Sequence, residues 1–128
     1  MPTPIAILNR KVFLDGSNVT YTTEPMNLQG YRKAILGLTV HGLSVEPIQY
    51  VSLSFEHTSS PETNIDTNWV ALTPSTGSLR TTKGTETYIV SDFFPWVRMT
   101  LNITSGGGSG NLRIAEVSLG GHAFETKD

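Results

Sequence analysis

The sequence predicts an all-β protein, an antiparallel β-sandwich of eight or nine strands, with a jelly-roll-like arrangement as the first choice and an immunoglobulin-like sandwich as the alternative topology. Three observations lead there. Apolar and polar residues alternate with a period of two in successive short runs, turn-forming residues punctuate those runs, and no stretch sustains the 3.6-residue period of a helix. The clearest alternation is in Phe93 to Ile103, FFPWVRMTLNI, where Val97, Met99, Leu101 and Ile103 share one face and Arg98, Thr100, Asn102 and Thr104 the other. Successive side chains of a strand point to opposite faces, so this is the signature of a strand buried on one side.

The elements follow in chain order. Ile5 to Leu14 reads as a first strand interrupted by Asn9-Arg10-Lys11 and stopped by the turn cluster Asp15-Gly16-Ser17-Asn18. Val19 to Thr23 is a short strand ahead of Glu24-Pro25. Tyr31 to Leu43 places Ala34, Leu36, Leu38 and Val40 on one face, with Gly37 and Gly42 marking a bulge or a close backbone contact. Gln49 to His57 turns Val51, Leu53 and Phe55 inward and Ser52, Ser54 and Glu56 outward, and the stretch Tyr31 to His57 is expected to form a long pair. Thr58 to Asn68 is a polar loop, and Trp69 to Leu72 begins another strand. Leu79 to Thr82 and Thr87 to Val90 are further strands, split by Lys83-Gly84. The run from Phe93 is expected to form a long hairpin with Leu112 to Leu119, the glycines of Gly106 to Gly110 making its tip. Leu112 and Ile114 are out of phase with Ala115, Val117 and Leu119, which predicts a bulge near Ile114 to Glu116. His122 to Asp128 is expected to be a peripheral tail, and the many threonines, Thr20, Thr22, Thr23 and Thr100 among them, to carpet the solvent faces.

Length and charge narrow the function. The 128 residues fit one sandwich domain, with residues 1–8 as an N-terminal arm or an ordinary first strand. Nine Lys and Arg against eleven Asp and Glu leave a net charge of −2, without the basic field that nucleic acid requires. With no cysteine, disulfides, thiolate metal sites and cysteine nucleophiles are all excluded. Ile5 to Leu8 is too short an apolar stretch for a signal peptide or a membrane span, so neither secretion nor membrane insertion is expected.

The residues form no catalytic constellation that the sequence makes visible. His41, His57 and His122 stand singly in separate runs, without a second ligand at i+2 or i+4. No Gly-x-Ser-x-Gly elbow is present, and the glycine loop lacks the Lys-Ser/Thr that a phosphate-binding loop needs. Glu56, Glu62, Asp66 and Asp92 lie in or near loops without the spacing of a calcium site and read as solvated carboxylates. The expectation is a protein that is no enzyme and has no cofactor or metal. Asn18-Val19-Thr20 and Asn102-Ile103-Thr104 match glycosylation sequons and carry no functional weight.

The aromatic residues are more informative. Pro95 interrupts a ladder, so Phe93-Phe94-Pro95 is expected to project one phenylalanine outward at a sheet edge, where it would mark an interface. Trp69, at the head of a strand, packs in the ordinary reading. In an alternative reading it stacks on a sugar, with Asp66 and Asn68 orienting the hydroxyls.

Trp69-Val70-Ala71-Leu72, the Thr/Gly-rich middle, Pro95-Trp96-Val97-Arg98-Met99-Thr100-Leu101 and the glycine loop before Asn111-Leu112-Arg113-Ile114 together resemble small β-sandwich virion proteins of tailed bacteriophages. The likeness spans Gln49 to Leu119 and rests on the order of strands and turns. Discoidin-like and carbohydrate-binding sandwiches share that grammar, but this chain departs from the discoidin pattern in having no cysteine pair and in its short length. The resemblance implies a capsid decoration (cement) or tail component, assembled into the virion in the host cytoplasm. Its partners would be other virion proteins or copies of itself, in a trimer or similar ring. Pro4, Ile5 and Ile7 of the arm, with Phe93 and Phe94, are the interface candidates, and a carbohydrate-binding module is the alternative.

Overall fold

The computed structural model describes residues 3–15, 19–44, 50–59, 69–104 and 113–125. Among the described residues nine strands form in chain order: β1 (Thr3–Asp15), β2 (Val19–Thr22), β3 (Met26–Asn27), β4 (Lys33–Leu43), β5 (Tyr50–Thr58), β6 (Val70–Leu72), β7 (Gly84–Ser91), β8 (Trp96–Thr104) and β9 (Arg113–Phe124). No helix occurs among the described residues. The pairing is that of one long antiparallel hairpin. β1 pairs with β9, β2 and β3 with β8, β4 with β7, and β5 with β6. Rolling that hairpin on itself adds the pairs β4–β9 and β5–β8, giving one sheet in the order β1-β9-β4-β7 and a second in the order β2-β8-β5-β6 with β3 also on β8. This nesting is the jelly-roll order, and the expected antiparallel sandwich is therefore correct.

The alternation seen in the sequence builds the core. Leu36 and Leu38 of β4, Val97, Met99 and Leu101 of β8, and Val117 of β9 are all sealed between the sheets. Their neighbours Ser52, Ser54, Thr100 and Asn102 are partly or fully exposed on the outer face of the second sheet. Tyr88 crosses the core to Phe55, ring centroids 5.8 Å apart. Its hydroxyl donates to the carbonyl of Ser78.

Several expectations of pairing are corrected. β8 and β9 do not form a hairpin: they lie in different sheets, as do β4 and β5. Consecutive long strands of a rolled hairpin alternate between layers, and periodicity reports which face is buried without saying against which strand. The bulge predicted in β9 lies instead across the ladder in β4, where the register shifts between Val40 and Gly42, and Ile114 simply points out to solvent. The interruption expected at Asn9-Arg10-Lys11 is present, as an irregularity inside β1. The strand continues through two register irregularities, with Arg10 at φ 50° and its amide donating to Ser118 Oγ at 2.9 Å. His122 to Phe124 is no peripheral tail but the end of central strand β9, with Ala123 buried.

Leu79 to Thr82 forms no strand. The 73–83 segment closes one flank of the sandwich. Ser75 N–H donates to the Ile89 carbonyl at 2.7 Å, and Arg80 exchanges two backbone bonds with Val51 at 2.8 and 2.9 Å, so both sheet edges are partly capped. Gly77 makes this path feasible, since its φ is 116° and a Cβ there would strike the Tyr88 ring. On the opposite flank the β2–β3 edge is broken around Pro25, which has no N–H to give. Thr23 repairs the gap: its N–H donates to the Met99 carbonyl at 2.8 Å, and its Oγ1 accepts the Met99 N–H at 3.0 Å. Thr23 is consequently buried, not part of the solvent-facing threonine carpet.

Candidate interaction surface at one end of the sandwich

Two connections meet at one end of the sandwich. The 92–95 turn carries the chain from β7 in one sheet to β8 in the other, and Leu28 of the 28–32 connection donates its N–H to the Pro95 carbonyl at 2.6 Å. Asp92 reverses the chain with φ 58°, in the left-handed region that Asp tolerates better than most residues. The two phenylalanines then part. Phe93 packs against the core, whereas Phe94 is 48% exposed. Pro95 restricts Phe94 to an extended backbone, which helps hold its side chain outward. The expectation that one phenylalanine projects outward is met by Phe94.

His57 is the anchor of that projection. It occupies the inward register of β5, opposite Val70 of β6 and Val97 of β8, and is only 9% exposed. The Phe94 N–H donates to His57 Nδ1 at 2.9 Å, while the two rings stack with centroids 4.6 Å apart and planes at 24°. Accepting a backbone N–H requires a lone pair on Nδ1, so the proton of the neutral ring sits on Nε2. Burial pushes the His57 pKa below its ordinary value of 6.5, because the charged form loses water. Val70, in register with His57 on its other side, is 53% exposed, so two apolar side chains flank one buried histidine at the surface.

Trp69 adjoins this patch. The Arg98 guanidinium lies 4.2 Å from its ring centroid and also binds Glu56, Nε to Oε1, at 2.8 Å. Glu56 and Arg98 are register partners on the outer face of β5 and β8. Opposite charges directly across a ladder attract, and the indole face adds a cation–π contact to the same guanidinium. One face of Trp69 is thus covered.

Of the interface candidates, Ile5, Ile7 and Phe93 pack on the core, and Pro4 and Phe94 are exposed. Thr3 to Leu8 pairs with β9 within the chain as its first strand. Thr3 Oγ1 meets the Tyr31 hydroxyl at 2.8 Å, which ties the start of β1 to the 28–32 connection and puts Pro4 at the same end of the fold as Phe94. Asp66 and Asn68 lie outside the described residues, so only Trp69 of the sugar-stacking set is placed. Sequence reasoning missed His57, Val70, Arg98 and Glu56 as members of this surface. The one available signal was the pair of opposite charges at outward positions of two alternating runs.

The three histidines do not converge. His41 Nε2 contacts Ser118 Oγ at 2.7 Å, His57 holds Phe94, and His122 is exposed on β9. Among the described residues no three His, Asp or Glu side chains gather as metal ligands would. A shallow trough of about 610 Å³ crosses the outer face of the first sheet where Ala6, Gly120, Gly37 and Thr87 stand in one cross-strand row. Backbone packing accounts for part of it, since a Cβ at Gly120 would lie 2.9 Å from the Ile5 carbonyl oxygen. Compared with known proteins, the chain matches no family model and no curated protein.

Proposed function

We propose that this chain is a non-enzymatic structural protein of a tailed-phage particle, a capsid decoration or tail component. It docks through the Phe94 end of its sandwich onto copies of itself and neighbouring virion proteins. The observation that carries the reading is the presentation of Phe94: an aromatic ring exposed at the surface yet fixed by a backbone hydrogen bond and a ring stack. A rigid aromatic loses little entropy on docking, which is why such residues anchor interfaces. Exposed Val70 beside it and the Arg98–Glu56 pair supply an apolar centre with a polar margin, the usual anatomy of a contact surface. The jelly-roll order supports the reading more weakly, since capsid and lectin domains both use it.

In this proposal the protein works in the virion after assembly in the host cytoplasm, and it needs no cofactor, nucleic acid or membrane. Carbohydrate binding at Trp69 has less support, because Arg98 already covers one face of the ring. The test is Phe94→Asp. It leaves the core untouched, so it should preserve cooperative unfolding while abolishing self-association and incorporation into particles. Assembly that proceeds unchanged would sink the proposal.

A further inference from the structure

We propose that His57 is a proton-operated latch on the Phe94 turn, which holds the apolar end of the sandwich in one presentation when the imidazole is neutral and releases it when Nδ1 takes a proton. The inference rests on reading Phe94 as a docking group, but the latch acts within a single chain. The Phe94 N–H points at Nδ1 from 2.9 Å, and a protonated Nδ1 carries its own hydrogen in that direction, so the two donors oppose each other. No small adjustment restores the bond, because both ring nitrogens of the imidazolium are donors. The stacked Phe94 ring and the inward register of β5 confine the imidazole, so a charged ring must either displace the turn or remain poorly solvated.

Charged residues stand on the elements that surround the latch. Glu56 of β5 is bound to Arg98 of β8. Asp92 begins the turn itself, and Arg32 belongs to the 28–32 connection that Leu28 fastens to Pro95. β6 brings Val70, Ala71 and Leu72 and no charge. Burial disfavours the imidazolium, which places the release on the acid side of 6.5. A partner seated on Phe94 would therefore be gripped at neutral pH and loosened on mild acidification.

Nuclear magnetic resonance of the full chain tests this without a partner. The His57 ring and Phe94 amide signals are followed from neutral to mildly acid pH, in the wild type and in His57→Gln, whose side-chain oxygen accepts a hydrogen bond but does not titrate. The expected result is a Phe94 amide step with the His57 midpoint, below 6.5 and absent from the variant. Exchange protection of that amide should fall about tenfold across the step after correction for intrinsic exchange, the worth of one hydrogen bond. A Phe94 amide that ignores the His57 titration, a step that persists in His57→Gln, or a ring that stays neutral until the fold melts would each overturn the latch. Should the variant not fold, the wild-type midpoints decide alone. Loss of assembly in Phe94→Asp bears on the docking reading instead, so the two can fail separately.

Discussion

At the scale of single residues, two side chains hold places that their types do not advertise. Thr23 belongs to a threonine-rich run that reads as solvent-facing, yet its hydroxyl replaces a ladder acceptor where Pro25 breaks the edge. Thr23→Val keeps the shape and leaves the buried Met99 N–H without a partner, so chemical denaturation should show a loss of about 1–3 kcal/mol. An unchanged midpoint would mean that water takes the hydroxyl's place. Leu101, fully buried in β8, sets a harsher test: Leu101→Asp should cost several kcal/mol or more and leave no cooperative transition. His57 links stability to pH. Its pKa is depressed in the fold, so below 6.5 the unfolded chain binds a proton that the folded chain resists. The stability it contributes is complete above 6.5 and is lost as pH falls below that value. Urea midpoints measured at about pH 7.5 and 5.5 should differ more in the wild type than in His57→Gln.

At the scale of elements, the sequence displayed faces and concealed partners. The alternations of β4, β5 and β8 were legible because each strand buries one side only, and every inward residue predicted in those three runs is buried. What periodicity cannot carry is the identity of the neighbouring strand. The glycine loop suggests β8 as the partner of Leu112 to Leu119, whereas β9 lies in the other sheet between β1 and β4. The same limit hid the surface at Phe94, whose geometry depends on β5, β6 and the 92–95 turn meeting in space. Outward projection was readable from Pro95, but the histidine that fixes it was not. β1 gives an element-scale prediction. Ile5, Ile7 and Leu8 pack on the core while their backbone pairs with β9, so removing residues 1–8 should lower the melting temperature of the isolated chain. A truncated chain that melts unchanged would mean that the segment adds nothing to the stability of the isolated fold.

At the scale of the whole molecule, the rolled hairpin lays the two ends of the chain side by side: β1 lies on β9, and β4 on both β7 and β9. Few of these pairings are local. Because loop closure must precede the contacts that reward it, stopped-flow refolding should take about milliseconds to seconds, not microseconds. The same topology leaves one flank capped by the 73–83 segment and sets Phe94, Val70 and Trp69 together at one end, a rigid scaffold bearing a small apolar surface. The most direct test of that surface as a docking site is the absolute mass of the purified chain by light scattering over a wide concentration range, alongside Phe94→Asp. The wild type is expected to form a closed oligomer and the variant a folded monomer. A wild type that stays monomeric throughout, or an oligomer that Phe94→Asp leaves intact, would contradict docking at that surface.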